Sequence, residues 1–370
     1  MAVSLVAPPL LLISWGSTGH KIISGYTFLS FTKEMEQFKD WKTFLVDHAS
    51  DADYRRNTNS SESPKHYIDI DNYPEFVSAG KIEHDPYLIV AQHGRDFVVD
   101  NGTLPWATIS SYDSLEACFK RRNWEKAKIF AADLGHYVAD AYMPMHITNN
   151  YDGKLTGNTG IHSLYETAML SDYGSLITYT GDSVKRIEHI DSFVFNYIYA
   201  NYPYVDSVLI ADTYARSISG TSTAAYRQAL WAKSGVYTVK LCKAASQSIA
   251  DLFYSAWYNA GRPLISGGFY TDNQNTAVIP LSAQNESMEV YPNPAVSSAN
   301  ISYSLNKAER VRIEIIDSLG KTVTTLVNSK FPAGNHTFLW NDISCPSGSY
   351  FVRFRTSNNE IVRKLIISKE

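Results

Sequence analysis

Cysteine is scarce in this chain of 370 residues. The three present, Cys118, Cys242 and Cys345, form no CxxC pair, which argues against a thiolate zinc site and a dithiol redox motif. The odd count also argues against a disulfide framework, while a Cys118–Cys242 bridge stays open. The chain lacks an excess of either charge. Its 33 basic and 37 acidic residues leave a net charge of −4, so no long-range field gathers polyanions, and any nucleic-acid binding has to be local. Beyond the first residues, no apolar run is long enough to span a bilayer. Apolar residues, at 44%, are enough for a sizeable core. Tyrosine is abundant, with 25 residues, and reads as amphipathic packing positions of a helical core rather than as stacking platforms.

Four segments differ in pattern. Residues 1–14 are apolar and too short to span a membrane, as in the core of a secretory signal. No basic residue precedes that run and Leu12-Ile13-Ser14 is a poor cleavage site, so a disordered apolar tail is the alternative. Residues 15–263 carry helical periodicity. Cys242, Ala245, Ile249, Leu252, Phe253, Ala256 and Trp257 recur at three- and four-residue steps and define one buried face, which Gly261 and Pro263 terminate. A second helical run, from about Trp124 to Tyr142, stops at Pro144. Residues 264–289 are rich in Gly, Ser, Thr, Asn and Gln and read as a linker. In residues 290–370 the period becomes two: Val311, Ile313 and Ile315 alternate with Arg310, Arg312 and Glu314. Turn signals at Ser318-Leu319-Gly320, Pro332-Ala333-Gly334 and Pro346-Ser347-Gly348 separate the runs, as in a small β-sandwich.

The chemistry-bearing residues concentrate in the helical segment. In Gly135-His136-Tyr137-Val138-Ala139-Asp140, His136 and Asp140 stand at i, i+4 and share a helix face. His146 follows just past Pro144, and His162 and Glu166 repeat the i, i+4 pairing of imidazole and carboxylate. Such residues are zinc ligands, and this spacing lets two converge on one ion. One such pair is weak evidence, because helix-surface hydrogen bonds produce it too. Two pairs plus His146, in a chain with ten His, outweigh that explanation. Upstream stand His20, Asp53 and His66, each unremarkable alone.

Together these segments resemble the superfamily that unites zinc-dependent bacterial phospholipase C with single-strand-specific zinc nucleases and 3'-nucleotidases. The resemblance spans roughly residues 15 to 262 and keeps the motif order. It implies a mainly helical catalytic domain, about three zinc ions per chain and a monomeric enzyme. By that resemblance Asp53, His66, His136 and Asp140 hold one ion, and His146, His162 and Glu166 a second. Trp15, His20 and Asp140 hold a third, through the Trp15 amine and carbonyl freed by cleavage after Ser14. Asp53 is also the expected catalytic base, with Asp51 as the competing acidic neighbour. Glu166, Asn149 and the segment His162-Ser163-Leu164-Tyr165-Glu166 lean towards the phospholipase branch, with Tyr54 and Asn149 as substrate-binding residues. Ser63, however, stands where that branch has a choline-contacting aromatic, so the resemblance does not imply a phosphatidylcholine headgroup pocket. The expected substrate is thus a phospholipid, or alternatively a single-stranded nucleic acid or nucleotide. A non-catalytic binding module stabilised by zinc is the remaining alternative.

Tyr291-Pro292-Asn293-Pro294-Ala295, Leu319-Gly320-Lys321, Ser347-Gly348-Ser349-Tyr350-Phe351 and Lys364-Leu365-Ile366 resemble the sorting domain of the type IX secretion system. That resemblance implies an Ig-like sandwich, secretion machinery as partner, and a secreted or cell-surface location after transit through the periplasm. A generic spacer sandwich is the alternative.

Overall fold

The computed structural model describes residues 16–270, 288–305, 307–317, 321–341, 345–356 and 360–369. The signal-like segment, Trp15 and most of the expected linker lie outside the described residues. The chain divides into two compact units, Met1–Asp272 and Asn273–Glu370. The first is helical and the second all-β.

The helical unit is organised around two helices. The central one, Trp124–Ala141, starts where the Asn123 side chain accepts from Lys126 N at 3.3 Å, satisfying a donor the helix cannot. Its residues from Leu134 to Ala141 are all buried, so it runs through the core. Pro144 lacks the amide needed to continue the helix, and a short 3₁₀ turn, Pro144–His146, follows. The long helix, Ala224–Asn259, is capped by Thr223 and ends before Gly261, whose φ of 85° only glycine adopts readily. Its apolar face lies as the periodicity predicts, with Cys242, Ile249, Leu252, Phe253 and Trp257 each at most 2% exposed. Phe38, Trp41 and Phe119 pack on Phe253 at ring-centroid distances of 5.0–5.9 Å, and Trp124 on Phe38 at 6.5 Å. A buried ring of this kind contributes about 3–5 kcal/mol on truncation to Ala. All three cysteines are buried free thiols.

Residues 264–270, which composition assigns to the linker, fold back on the helical unit. The Arg122 guanidinium donates to the Leu264 and Gly268 carbonyls at 3.1 and 2.7 Å, and Gln37 accepts from Ile265 N at 2.7 Å. Polar composition concealed this, because the contacts are made by backbone carbonyls. No helix among the described residues is long and apolar enough to cross a membrane.

The β unit contains strands β1 (Met288–Tyr291), β2 (Ala299–Leu305), β3 (Glu309–Ile316), β4 (Thr322–Phe331), β5 (Gly334–Trp340), β6 (Gly348–Arg355) and β7 (Glu360–Ile367). They form two antiparallel sheets, ordered β1-β2-β5 and β4-β3-β6-β7. Val311, Ile313, Val352 and Phe354 from one sheet share a core with Ile301 and Tyr303 from the other. The alternation in β3 gives way from Glu314 onward. Glu314, expected to face outward, is 1% exposed because Arg353 and Arg312 fold over its carboxylate at 2.9 and 2.7 Å. The paired charges replace the water that an outward carboxylate would take.

Candidate metal centre

Eight of the nine expected ligands are described, and the fold brings them together from separate segments. His20 comes from the first helix, Gly16–Thr27, and Asp53 from the short helix Asp51–Arg55. His66 and His146 each end a 3₁₀ turn opened by a proline at its first or second position. His136 and Asp140 stand on the central helix. His162 and Glu166 follow in Ile161–Ser163 and in the π-helical turn Leu164–Met169, a type of bulge common at functional sites. All eight are at most 5% exposed. Their ligand atoms form three groups: His20, His136 and Asp140; Asp53, His66 and His136; and His146, His162 and Glu166.

The spacing within these groups suits a shared cation better than direct hydrogen bonding. Ligand atoms about 2.0–2.1 Å from a tetrahedral zinc lie about 3.3–3.4 Å from each other, whereas a charge-assisted hydrogen bond closes to about 2.7–2.9 Å. Glu166 Oε2 lies 3.3 Å from His162 Nε2 and 3.5 Å from His146 Nε2. His20 Nε2 lies 3.4 Å from Asp140 Oδ1. Asp53 Oδ1 lies 3.6 Å from His66 Nδ1 and 3.7 Å from His136 Nε2. The pair His136 Nε2 and His66 Nδ1 is closer, at 2.9 Å. Asp140 has the position of a bridge. Its Oδ2 faces His66 and His136 at 3.1 and 3.2 Å, while its Oδ1 faces His20.

Buried polar atoms normally find a hydrogen-bond partner. Here Asp53 Oδ2, Asp140 Oδ1, His146 Nε2, both ring nitrogens of His162, and Glu166 Oε2 have none within the protein. The outer ring nitrogens of His136 and His146, in contrast, are anchored. His136 Nδ1 donates to the Ala49 carbonyl at 2.8 Å and His146 Nδ1 to the His66 carbonyl at 2.6 Å. This fixes the tautomer that turns a bare Nε2 inward, the usual support of a metal-bound imidazole.

Electrostatics agree. Burial, followed by the His136 charge, pushes the His20 imidazole down, and burial pushes His66 to about 4, so both are neutral near pH 7. Against the cost of burial, His136 and His146 hold the Asp140 carboxyl well below the usual carboxylate range. His162 and His146 lower Glu166 in the same way. Burial alone would lower His136, yet Asp140 and Asp53 raise it to about 9. A buried anionic cluster thus draws in positive charge, whether a proton or a cation. The residues present fit divalent metal.

The Asp53–His66–His136 and His146–His162–Glu166 clusters open onto a cavity of about 350 Å³ lined by Arg56, Tyr67, Asp69, Asp100, Tyr151 and the ligands His66, His146 and His162, among others. Arg56 holds Asp53 Oδ1 at 2.7 Å. Burial, then the neighbouring Asp71, pushes the Asp69 carboxyl up to about 7. Neither expected substrate-binding residue lines this cavity. Tyr54 is 59% exposed. Asn149 is spent on loop structure, its amide donating to Asn72 and its backbone to Asp71 at 2.6 and 2.8 Å. Asp51 pairs with His48 at 2.6 Å at the surface, leaving Asp53 as the buried carboxylate of this segment. Trp15 lies outside the described residues. Its neighbour Gly16 packs on the Glu166 turn so closely that a Cβ there would meet Thr167 Oγ1 at 3.0 Å.

Arg56, Asp69 and Glu62 escaped the sequence reading. Glu62 is 1% exposed behind His66, and Lys65, Tyr137 and Arg55 hold its carboxyl at about 2 against burial. Spacing singles out none of the three, since acid–base pairs three or four residues apart are ordinary in a polar surface stretch. The local signals are weak ones, Asp53 with Arg56 at i, i+3 and Glu62 with Lys65 and His66 at i, i+3 and i, i+4.

Residues 289–368 match the family model described as the secretion system C-terminal sorting domain. The β unit is therefore a sorting domain of the type IX kind, and the protein is secreted or displayed at the cell surface. No curated protein matches the chain by sequence. Among solved structures, the alpha toxin of Clostridium absonum aligns at 10% identity over 95% of each chain, with a TM-score of 0.43. The alpha-toxin of Clostridium perfringens, from an avian strain, aligns at 12% identity over 96% of each chain, with a TM-score of 0.44. Likeness at this level carries no argument for the chemistry, which rests on the site itself.

Proposed function

We propose that the helical unit is a zinc-dependent phosphodiester hydrolase exported by way of its sorting domain. The observation that carries this reading is the set of three buried ligand clusters, spaced for zinc, two of which open onto one cavity. Zinc bound there would supply Lewis acidity and a water acidic enough to attack as hydroxide near neutral pH. Asp140 would hold two of the positions in register through its two oxygens. His146, His162 and Glu166 number three, the ligand count of a catalytic rather than a closed structural zinc site. Arg56 stands in the cavity wall, where its guanidinium can take a non-bridging phosphate oxygen. Asp53, oriented by Arg56, is the base we assign to the attacking water. A zinc-stabilised binding module would show zinc without turnover, so a fluorogenic phosphodiester assay with and without chelator separates the two.

For the substrate, the motif around Glu166 supports a phospholipid. A specific feature of the cavity favours a second reading. Tyr67 and Tyr151 line it together with the Asp69 carboxyl, which stays protonated to about pH 7 and can both donate and accept, as a nucleobase edge requires. The pH dependence of KM distinguishes them by sign. Ionisation of Asp69 removes a donor and adds negative charge. KM for a single-stranded nucleotide substrate should therefore rise as pH passes the Asp69 pKa. KM for a phospholipid with a cationic headgroup should fall, because the new carboxylate attracts it. The midpoint is expected at or below 7, since bound cations lower it. Asp69→Asn should flatten either profile. Rates on phosphatidylcholine, single-stranded DNA and RNA, and 3'-nucleotides at equal enzyme and zinc complete the assignment.

A further inference from the structure

Between Asn57 and Ser63 every residue but one is exposed; the exception is Glu62. Its carboxylate takes three partners. Arg55 Nη2 lies at 3.2 Å and Lys65 Nζ at 2.8 Å, and the Tyr137 hydroxyl donates to Oε1. Each partner is one or two residues from a member of the second ligand cluster: Arg55 from Asp53, Lys65 from His66, Tyr137 from His136. Arg55 also reaches Asp133 on the central helix at 2.9 Å, and the Tyr137 ring meets His66 edge-on at 5.7 Å. The His66 ring has its Nδ1 towards Asp53, His136 and Asp140, while Nε2, without a hydrogen-bond partner, stands 3.8 Å from Glu62 Oε1.

Resting on the metal-site reading above, we propose that Glu62 is a positioning residue for the Asp53, His66 and His136 cluster. It joins the three ligand-bearing segments, favours the His66 tautomer with the proton on Nε2, and neutralises two nearby cations. Its carboxylate oxygen stands 3.8 Å from Nε2, too far for a hydrogen bond but close enough to bias which nitrogen keeps the proton. That bias leaves the Nδ1 lone pair free for metal. The cancellation matters as much. Without Glu62, Lys65 stands uncompensated behind His66 and Arg55 keeps only Asp133, so the net positive charge behind the ring grows and repels a divalent ion in front of it.

Opposite-sign variants test this in the full, zinc-loaded chain. Glu62→Gln keeps the shape and removes the charge. It should weaken one zinc, the ion missing from His66→Ala, by about 10–100-fold in competition with a chromophoric chelator, as is usual for outer-shell partners. Lys65→Met removes one repelling cation from a partly exposed position and should tighten that same ion. Cobalt substitution should shift the absorption bands of that site alone in both variants. A purely structural role for Glu62 would loosen every ion together and give no reversal of sign. Unchanged affinity in Glu62→Gln, or weaker binding in Lys65→Met, overturns the proposal. If Glu62→Gln fails to fold, the Lys65→Met result decides alone. A wild-type chain that binds no zinc removes the metal-site reading and this proposal together, whereas zinc binding unaffected by either variant removes only the latter.

Discussion

Asp140→Asn and His136→Ala are each expected to cut turnover at least about a thousandfold and to lower thermal stability at the same time. The size follows from losing several kcal/mol of charge stabilisation when an ion is lost or displaced, at about 1.4 kcal/mol per factor of ten. Asp140 is fully buried, with one oxygen facing His20 and the other facing His66 and His136. An Asn offers a single acceptor, so one of its two faces presents an amide proton to a would-be cation. His136 contributes to two of the three clusters and stacks on His20 at a centroid distance of 4.1 Å. Its loss empties both positions and leaves a cavity beside the carboxylates. Steady-state kinetics and a thermal melt of each variant check this. Wild-type turnover in either variant would mean that the central helix does not carry the chemistry.

Removal of metal should have the second largest effect. The clusters tie together the first helix, the segments around Asp53 and His66, the central helix and the Glu166 turn. Without a cation, three buried carboxylates must be balanced by Arg56 and by protons taken up on imidazoles. A ligand present at about a thousand times its dissociation constant stabilises the native state by about 4 kcal/mol. For a unit of this size that corresponds to a fall in Tm of roughly 10 °C per strongly held ion on chelation. The melt should recover when zinc is restored and should not recover with magnesium, which prefers an all-oxygen octahedral shell. Equal melting curves with and without chelator would contradict the reading.

The parts of this molecule legible in its sequence are those set by local spacing. His136 with Asp140, and His162 with Glu166, announce themselves because a helix places i and i+4 together wherever it lies. The buried face of the long helix and the alternation of β3 were readable for the same reason. His20, Asp53 and His66 were suggested by residue type and by resemblance, since nothing local to them reports a partner 70 or more residues away, as in the contact of His66 with His136. Where the structure departs from expectation, a non-local contact had the stronger claim. Asn149 is engaged by Asn72 and Asp71, Glu314 by Arg353, and the 264–270 segment by Arg122. Glu62 shows the limit most clearly. It sits in a polar stretch that reads as surface, and only the fold sets it behind His66.

The central claim is that the three clusters are metal sites. Anomalous diffraction at the zinc absorption edge, from crystals of the mature chain grown with zinc, tests it most directly. The account predicts one peak in each of the three clusters, bridged on two sides by Asp140, with ligand distances of about 2.0–2.1 Å to nitrogen. Clusters without anomalous density, or zinc confined to surface residues, would contradict it.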